Sequence, residues 1–205
     1  MGEGSLTLLA WRRRVAELYA QVRAAPDPAH GHALWRAGRD ALFAEHPDSP
    51  LAPHDPRRRT GLPVAPYDPR LRFTAALEPA TGDAPDRLEV GTGTDGTVRF
   101  ARLGRVRTPV GDLDVWWLTG YGGGVWVPVR DGGSGSASYG GGRYLLDTVK
   151  GADLGSAPGP GGAEELVLDL NFLYNPSCAY DEAWACPLAP PGNRVDVVLE
   201  VGELL

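Results

Sequence analysis

Leu113-Asp114-Val115-Trp116-Trp117-Leu118 sets Leu113, Val115 and Trp117 against Asp114, Trp116 and Leu118 at a period of two. That is the spacing at which successive strand side chains point to opposite faces of a sheet. A turn, Pro109-Val110-Gly111-Asp112, precedes this stretch, and Tyr121-Gly122-Gly123-Gly124 breaks the chain after it. Short alternating runs bounded by Gly and Pro are the signature of antiparallel strands joined by tight turns. Outward toward the C-terminus, the same period recurs at Val125, Val127 and Val129, then at Tyr144, Leu146 and Thr148. Leu166, Leu168, Leu170 and Phe172 repeat it, and Val195, Val197, Leu199 and Val201 close the chain. Toward the N-terminus, Val106-Arg107-Thr108 is a short run, and Val98 with Phe100 follows a Thr94-Asp95-Gly96-Thr97 hairpin turn. Leu88 with Val90 and Leu71-Phe73-Ala75 come before it. About eight short strands are expected, in an antiparallel β-barrel or sandwich.

The period changes to helical near the N-terminus. Leu8, Trp11, Val15, Leu18 and Val22 fall on one stripe, with Ser5 as a cap and Ala25-Pro26-Asp27-Pro28 as the stop. Asp27 then caps a second helix with Pro28 at its first position. That helix carries Leu34, Trp35, Leu42 and Phe43 inward and ends at His46-Pro47. Two apolar stripes need a surface to cover, and the β-rich remainder supplies it. The fold class is therefore α+β, mainly β, with two N-terminal helices packed against the strands. Residues 1–69 form the helical segment and a Pro-rich crossing loop, and residues 70–205 form the β core. Residues 152–163, rich in Gly and Pro, read as a mobile linker loop.

Composition narrows the function classes. The chain has 205 residues, and its 28 Gly and 19 Pro favour short connections over long helices. A formal net charge of -6 is ill suited to neutralising phosphates, so no nucleic-acid partner is expected. Arg57-Arg58-Arg59 reads as a solvated loop face. Lys150 is the single lysine and so the single Schiff-base candidate. No apolar run approaches the roughly 18 residues of a membrane span, and residues 1–4 lack a secretory layout. A cytoplasmic protein with no membrane partner is expected, its oligomeric state open.

Chemistry-bearing residues concentrate between Asp169 and Arg194, where both cysteines and all three asparagines lie. The motif runs Tyr174-Asn175-Pro176-Ser177-Cys178-Ala179-Tyr180, then Trp184-Ala185-Cys186-Pro187-Leu188, then Pro190-Pro191-Gly192-Asn193-Arg194. Together with Ser138-Tyr139-Gly140-Gly141-Gly142-Arg143-Tyr144, it resembles a prokaryotic family, domain of unknown function 1684. Phe43-Ala44-Glu45-His46-Pro47-Asp48-Ser49-Pro50-Leu51 is similar to that family's N-terminal motif. The chain departs from the pattern at Leu170, Phe172 and Ser177, where Phe, a basic residue and Pro are expected. The resemblance groups the chain and implies no activity.

Read from the residues alone, Asp169 and Asn171 share one strand face, turned either to water or to a barrel lumen. Arg143 has two open roles. Its planar fork suits a carboxylate or phosphate ligand, and it equally suits an ion pair with Asp169 or Asp147. Of Trp116 and Trp117, one belongs in the core while the other covers a helix or lines a pocket.

A disulfide between Cys178 and Cys186 would close a small loop worth about 2.5 kcal/mol, but a reducing compartment disfavours it. A structural zinc site needs four ligands, which His46 and His54 would have to complete. Two buried, inert thiols pinning the Pro-rich loop is the simpler reading. Residues 132–142 lack a Gly-Lys-Ser/Thr ending, so they read as a flexible turn rather than a phosphate loop. No metal and no cofactor is expected.

Three functional readings follow. In the first, Tyr139, Arg143, Tyr144, Asp169, Asn171, Tyr174, Asn175, Tyr180, Asn193 and Arg194 converge on a barrel pocket for a small polar or aromatic molecule. In the second, a hydrolase or lyase uses Asp169 or His46 as base and Tyr139 or Tyr174 as acid, with Arg143 and Asn175 holding an oxyanion. In the third, the motif is a hydrogen-bonded corner without a ligand. Arg143 and Asn175 around one enclosed hollow is the geometry that the first reading requires.

Overall fold

The computed structural model describes residues 6–79, 85–92 and 96–205. The Ser5 cap, residues 1–4 and the Thr94-Asp95 half of the hairpin turn lie outside that range. Helix α1 (Leu6–Arg23) and helix α2 (Pro28–Glu45) form as their stripes predict. Asp27 caps α2 by accepting the His30 N–H at 2.8 Å, and His46 ends it. Within the crossing region, Arg57-Arg58-Arg59 is a short helix, α3 (Arg57–Thr60), and not a solvated loop. Arg58 donates to the carbonyls of Ala44 and Leu51 at 2.8 and 2.6 Å, binding the end of α2 to the loop that follows it.

Eight strands follow among the described residues, β1 (Arg72–Ala75), β2 (Arg87–Thr92), β3 (Gly96–Val106), β4 (Leu113–Leu118), β5 (Gly124–Val129), β6 (Arg143–Asp147), β7 (Ser156–Pro158) and β8 (Glu164–Asp169). Strands β2 to β6 make an antiparallel meander, and β1-β8-β7 makes a second antiparallel sheet. The meander has β2 and β6 as its outer strands, so the sheet is open and the barrel alternative does not hold. Val106 belongs to the long β3 and not to a strand of its own, because a bulge between Arg102 and Gly104 lets one strand bend and continue. Gly104 sits where any Cβ would strike the Glu78 carbonyl, and Glu78 is bridged to Arg105 there. The linker region 152–163 contributes β7 to a sheet.

One core takes side chains from both sheets and both long helices, including Leu18, Trp35, Phe43, Val115, Val127, Leu145 and Leu168. Trp35, with no exposed surface, contributes roughly 2–3 kcal/mol of hydrophobic stabilisation. A second cluster, Phe100, Trp116, Trp126 and Tyr144, covers the other face of the meander. Burial on both faces leaves no position of β6 exposed. Of the tryptophan pair, Trp116 is core while Trp117 stays 40% exposed.

The last expected strand does not form. Residues 195–201 run as an extended segment that bonds in turn to different partners, Val195 N–H to the Arg130 carbonyl and Gly132 N–H to the Val197 carbonyl. Arg143 replaces a neighbouring strand: its guanidinium donates to the carbonyls of Leu199, Val201 and Glu203 at 3.0, 2.5 and 3.0 Å. Those carbonyls recur at the period-two spacing that a ladder partner would read.

Candidate functional site

The ten motif residues are buried or engaged, each by identifiable partners. Arg143 pairs with Asp131 at 2.8 Å, and neither Asp169 nor Asp147 takes that place. Burial pushes the Asp131 carboxyl up, but hydrogen bonds from Ser138 and Gly133 and the Arg143 charge outweigh it and hold Asp131 below the usual range. Asp131 therefore organises residues 132–142, which form an anchored turn instead of a flexible one. Asn193 donates to the Asp114 and Pro128 carbonyls at 2.7 and 2.9 Å and accepts from the Trp116 indole at 2.9 Å. Arg194 is exposed and contributes a backbone bridge to Arg130. Tyr144 donates to the Pro187 carbonyl at 2.5 Å, and its backbone bridges Tyr174.

Arg143 and Asn175 each bond the C-terminal segment rather than one another. The Asn175 N–H donates to Glu203 Oε2 at 3.1 Å and its side chain to the Leu204 carbonyl at 3.3 Å. Residues 199–204 thus occupy the space where an enclosed hollow was expected. Glu203 is fully buried and also accepts from Tyr180 and from Arg39, the latter at 2.7 Å. The Arg39 guanidinium lies 4.9 to 5.3 Å from the rings of Trp35, Phe43 and Tyr174. An arginine held over three aromatic faces and paired to a buried carboxylate fastens the C-terminal segment to α2. Arg39 is legible in hindsight: it stands four residues after Trp35 and four before Phe43, on the apolar stripe.

Asp169 and Asn171 face neither water nor a lumen. The expected strand stops at Asp169, whose carboxylate caps a helical turn over Leu170–Phe172 by accepting the Asn171 N–H at 3.1 Å and its side-chain amide at 2.7 Å. Asn171 in turn clamps Asp68, accepting its N–H at 2.7 Å and donating to its carbonyl at 2.8 Å. His32 Nε2 meets the Asn171 carbonyl at 3.1 Å, and burial lowers that imidazole's pKa, so it donates as a neutral ring.

Above this buried pair, a groove of about 480 Å³ opens between the start of α2 and the outer strand β1. Pro28, Ala29, Pro69 and Phe73 form its apolar wall, while Asp27, Tyr67, Arg72 and Thr74 supply polar atoms. Tyr67 donates to Asp169 Oδ2 at 3.2 Å, and Arg72 reaches the same oxygen at 3.5 Å. Burial first, then the Asp169 charge, pushes the Tyr67 hydroxyl up to about 12. Burial also pushes the Asp169 carboxyl up, against the hydrogen bonds from Asn171 and the Arg72 charge. Arg72 is 36% exposed, and among the described residues its remaining donors have no protein partner. Neither Tyr67 nor Arg72 stands out in the sequence, since Tyr67 lies among prolines and Arg72 takes an ordinary outward position of β1.

A second groove, of about 690 Å³, lies across residues 66–71 and is lined by Val110 and residues 197–201. Arg70 there is committed to Asp68 at 2.7 Å. Among the described residues, no group of three or more His, Cys, Asp or Glu side chains is placed to hold a metal ion, and no helix is long and apolar enough to cross a membrane.

The fold is that of a mainly β protein with two open antiparallel sheets, helices over one core and surface grooves of mixed, mainly apolar lining. The chain belongs to a family described as "Protein of unknown function (DUF1684)", whose model matches residues 58–204. It is similar to an uncharacterized protein of Haloarcula marismortui whose solution NMR structure is solved. Identity is 28%, over 83% of this chain and 90% of that one, with a TM-score of 0.57. No curated protein matches.

Proposed function

We propose that this protein binds a small carboxylate-bearing molecule with an aromatic or apolar body in the groove between α2 and β1. The observation that carries this reading is Arg72, a partly exposed guanidinium lining a mainly apolar groove. Among the described residues, its one protein anion is a buried carboxyl at the long distance of 3.5 Å, and burial raises that carboxyl's pKa. A ligand carboxylate would meet the guanidinium two-point fashion, a stronger contact than the one it displaces. Its ring would lie against Pro28, Pro69 and Phe73. A volume of about 480 Å³ falls within the range of small-molecule sites.

The hydrolase or lyase alternative has less support. Asp169, Tyr139 and Arg143 have no hydrogen-bond partner in common, whereas shared geometry is the first requirement of an acid–base constellation.

Calorimetric titration with benzoate tests the proposal. Saturable binding to the wild-type chain, lost in Arg72→Met, is the expected result. Equal heats from both proteins, or no saturable heat from either, would overturn it.

A further inference from the structure

Two features stand apart from the Arg72 site. Cys178 and Cys186 are free and partly exposed, which corrects the expectation of two buried thiols, and the Tyr139 hydroxyl donates to Cys178 Sγ at 3.5 Å. The second feature is the groove of about 690 Å³ across residues 66–71. It opens where a short antiparallel pairing ends. Val64 bridges Glu203, the Ala65 N–H donates to the Gly202 carbonyl at 2.9 Å, and the Leu204 N–H donates to the Pro63 carbonyl at 2.8 Å. Continued in that register, Tyr67 would face Glu200. Instead Asn171 holds both main-chain groups of Asp68, and among the described residues no main-chain bond joins residues 66–71 to residues 197–201. The two segments part, and the groove lies between them.

One side of this groove is an unused edge. The carbonyls of Val197, Leu199 and Val201 accept from the Gly132 N–H and the Arg143 guanidinium. In extended backbone the hydrogen-bonding groups of successive residues point to opposite edges. Those of Val198 and Glu200 therefore turn away from Arg143, and among the described residues they make no hydrogen bond. The side chains there are open to solvent: Val197 is 49% and Val198 51% exposed, and Glu200 is exposed. Pro66, Leu71 and Val110 add apolar wall. Of the charged residues lining the groove, Asp68 and Arg70 neutralise each other at 2.7 Å and leave Glu200 as its net charge.

From this geometry we infer that residues 197–201 dock an extended peptide segment of a partner protein, with an apolar residue opposite Val198 and a basic one opposite Glu200. The peptide main chain pairs with the N–H and C=O groups of Val198 and Glu200, as an added strand does at an open edge. Peptide side chains two positions apart meet those of Val198 and Glu200 on one face, where apolar and opposite-charge pairs stabilise the pairing. At the rise of a strand, residues 197–201 offer roughly 13 Å of edge, enough for about five peptide residues. Tyr67 and Pro69 line both grooves, but Val198 and Glu200 line only this one, so the two sites are read separately.

The test titrates the isotope-labelled full chain with acetyl-Lys-Val-Val-Val-Lys-amide and reads the amide signals of Val198 and Glu200 by NMR. Saturable shifts at both are expected. The peptide reads alike in either direction, so parallel and antiparallel pairing both set the central valine at Val198 and a lysine at Glu200. N-methylation of the central valine blocks one edge of the peptide, and N-methylation of the two outer valines blocks the other. One of these peptides is expected to bind at least about tenfold more weakly, while the other binds nearly as the parent does. Glu200→Lys, a change at an exposed side chain, is expected to weaken the lysine peptide about threefold and to favour acetyl-Glu-Val-Val-Val-Glu-amide in its place. No saturable shift, equal binding of the two N-methylated peptides, or a Glu200→Lys chain that keeps the lysine preference overturns the inference. So does sedimentation showing a dimer that the peptide leaves intact, because a second copy then covers the edge.

Discussion

At the scale of single residues, side chains whose chemistry suits a ligand are used to hold the fold. Arg143 has the two-point fork that recognises anions, yet it is spent on Asp131 and three main-chain carbonyls. Arg143→Met should cost about 3–5 kcal/mol in urea unfolding, because it leaves Asp131 as an unpaired buried charge. Arg143→Lys should not restore that loss, since one ammonium cannot span those acceptors. Asp169→Asn should act oppositely on the groove. The amide keeps an oxygen for the Asn171 cap while removing the anion that competes for Arg72. Benzoate should then bind roughly fivefold tighter, about 1 kcal/mol. Calorimetry of the variant checks this, and weaker binding would mean that Asp169 serves the ligand and does not compete with it.

At the scale of elements, period-two alternation locates strands that run beside other strands. Strands β4, β5 and β6 lie where Val115, Val127 and Leu146 put them. Helix α2 was legible from its cap and its proline. What alternation could not tell is whether an extended run would find a strand beside it. Residues 195–201 carry the pattern but meet an arginine side chain and scattered main-chain groups. The Leu166-to-Phe172 run fails differently, because a local carboxylate cap at Asp169 turns the backbone before the alternation ends. The motif marks residues of this corner, while the partly exposed Arg72 sits on β1, where an outward arginine carries no distinguishing signal. Asn193 is the clearest case of motif chemistry serving an element junction, joining β4 and β5 to the C-terminal segment. Asn193→Ala should lower stability by about 1–3 kcal/mol through the buried groups it strands. A denaturation midpoint within error of the wild type would contradict that role.

At the scale of the whole molecule, two buried carboxyls give stability opposite dependences on pH. Asp131 titrates below the usual 3.8 in the folded chain. Its contribution is present above the unfolded value and is lost as pH falls through the folded one. Asp169 is raised above 3.8, so the native chain holds a proton there that the unfolded chain has released. Stability declines as pH rises through that interval. Asp131→Asn should therefore flatten the acid limb of the melting curve below about pH 3.8. Asp169→Asn should remove the decline just above it. Thermal unfolding of both variants from acid to neutral pH checks the signs, and parallel profiles would refute the assignment.

Arg143 serves the interior, and the proposed binding face lies between α2 and β1. NMR titration of the isotope-labelled chain with benzoate tests this most directly. Saturable shifts at Ala29, Tyr67, Arg72 and Thr74, with Arg143, Asn175 and Val201 unmoved, are the predicted result. Shifts centred on Arg143 and residues 199–204 instead, or no saturable shift anywhere, would contradict it.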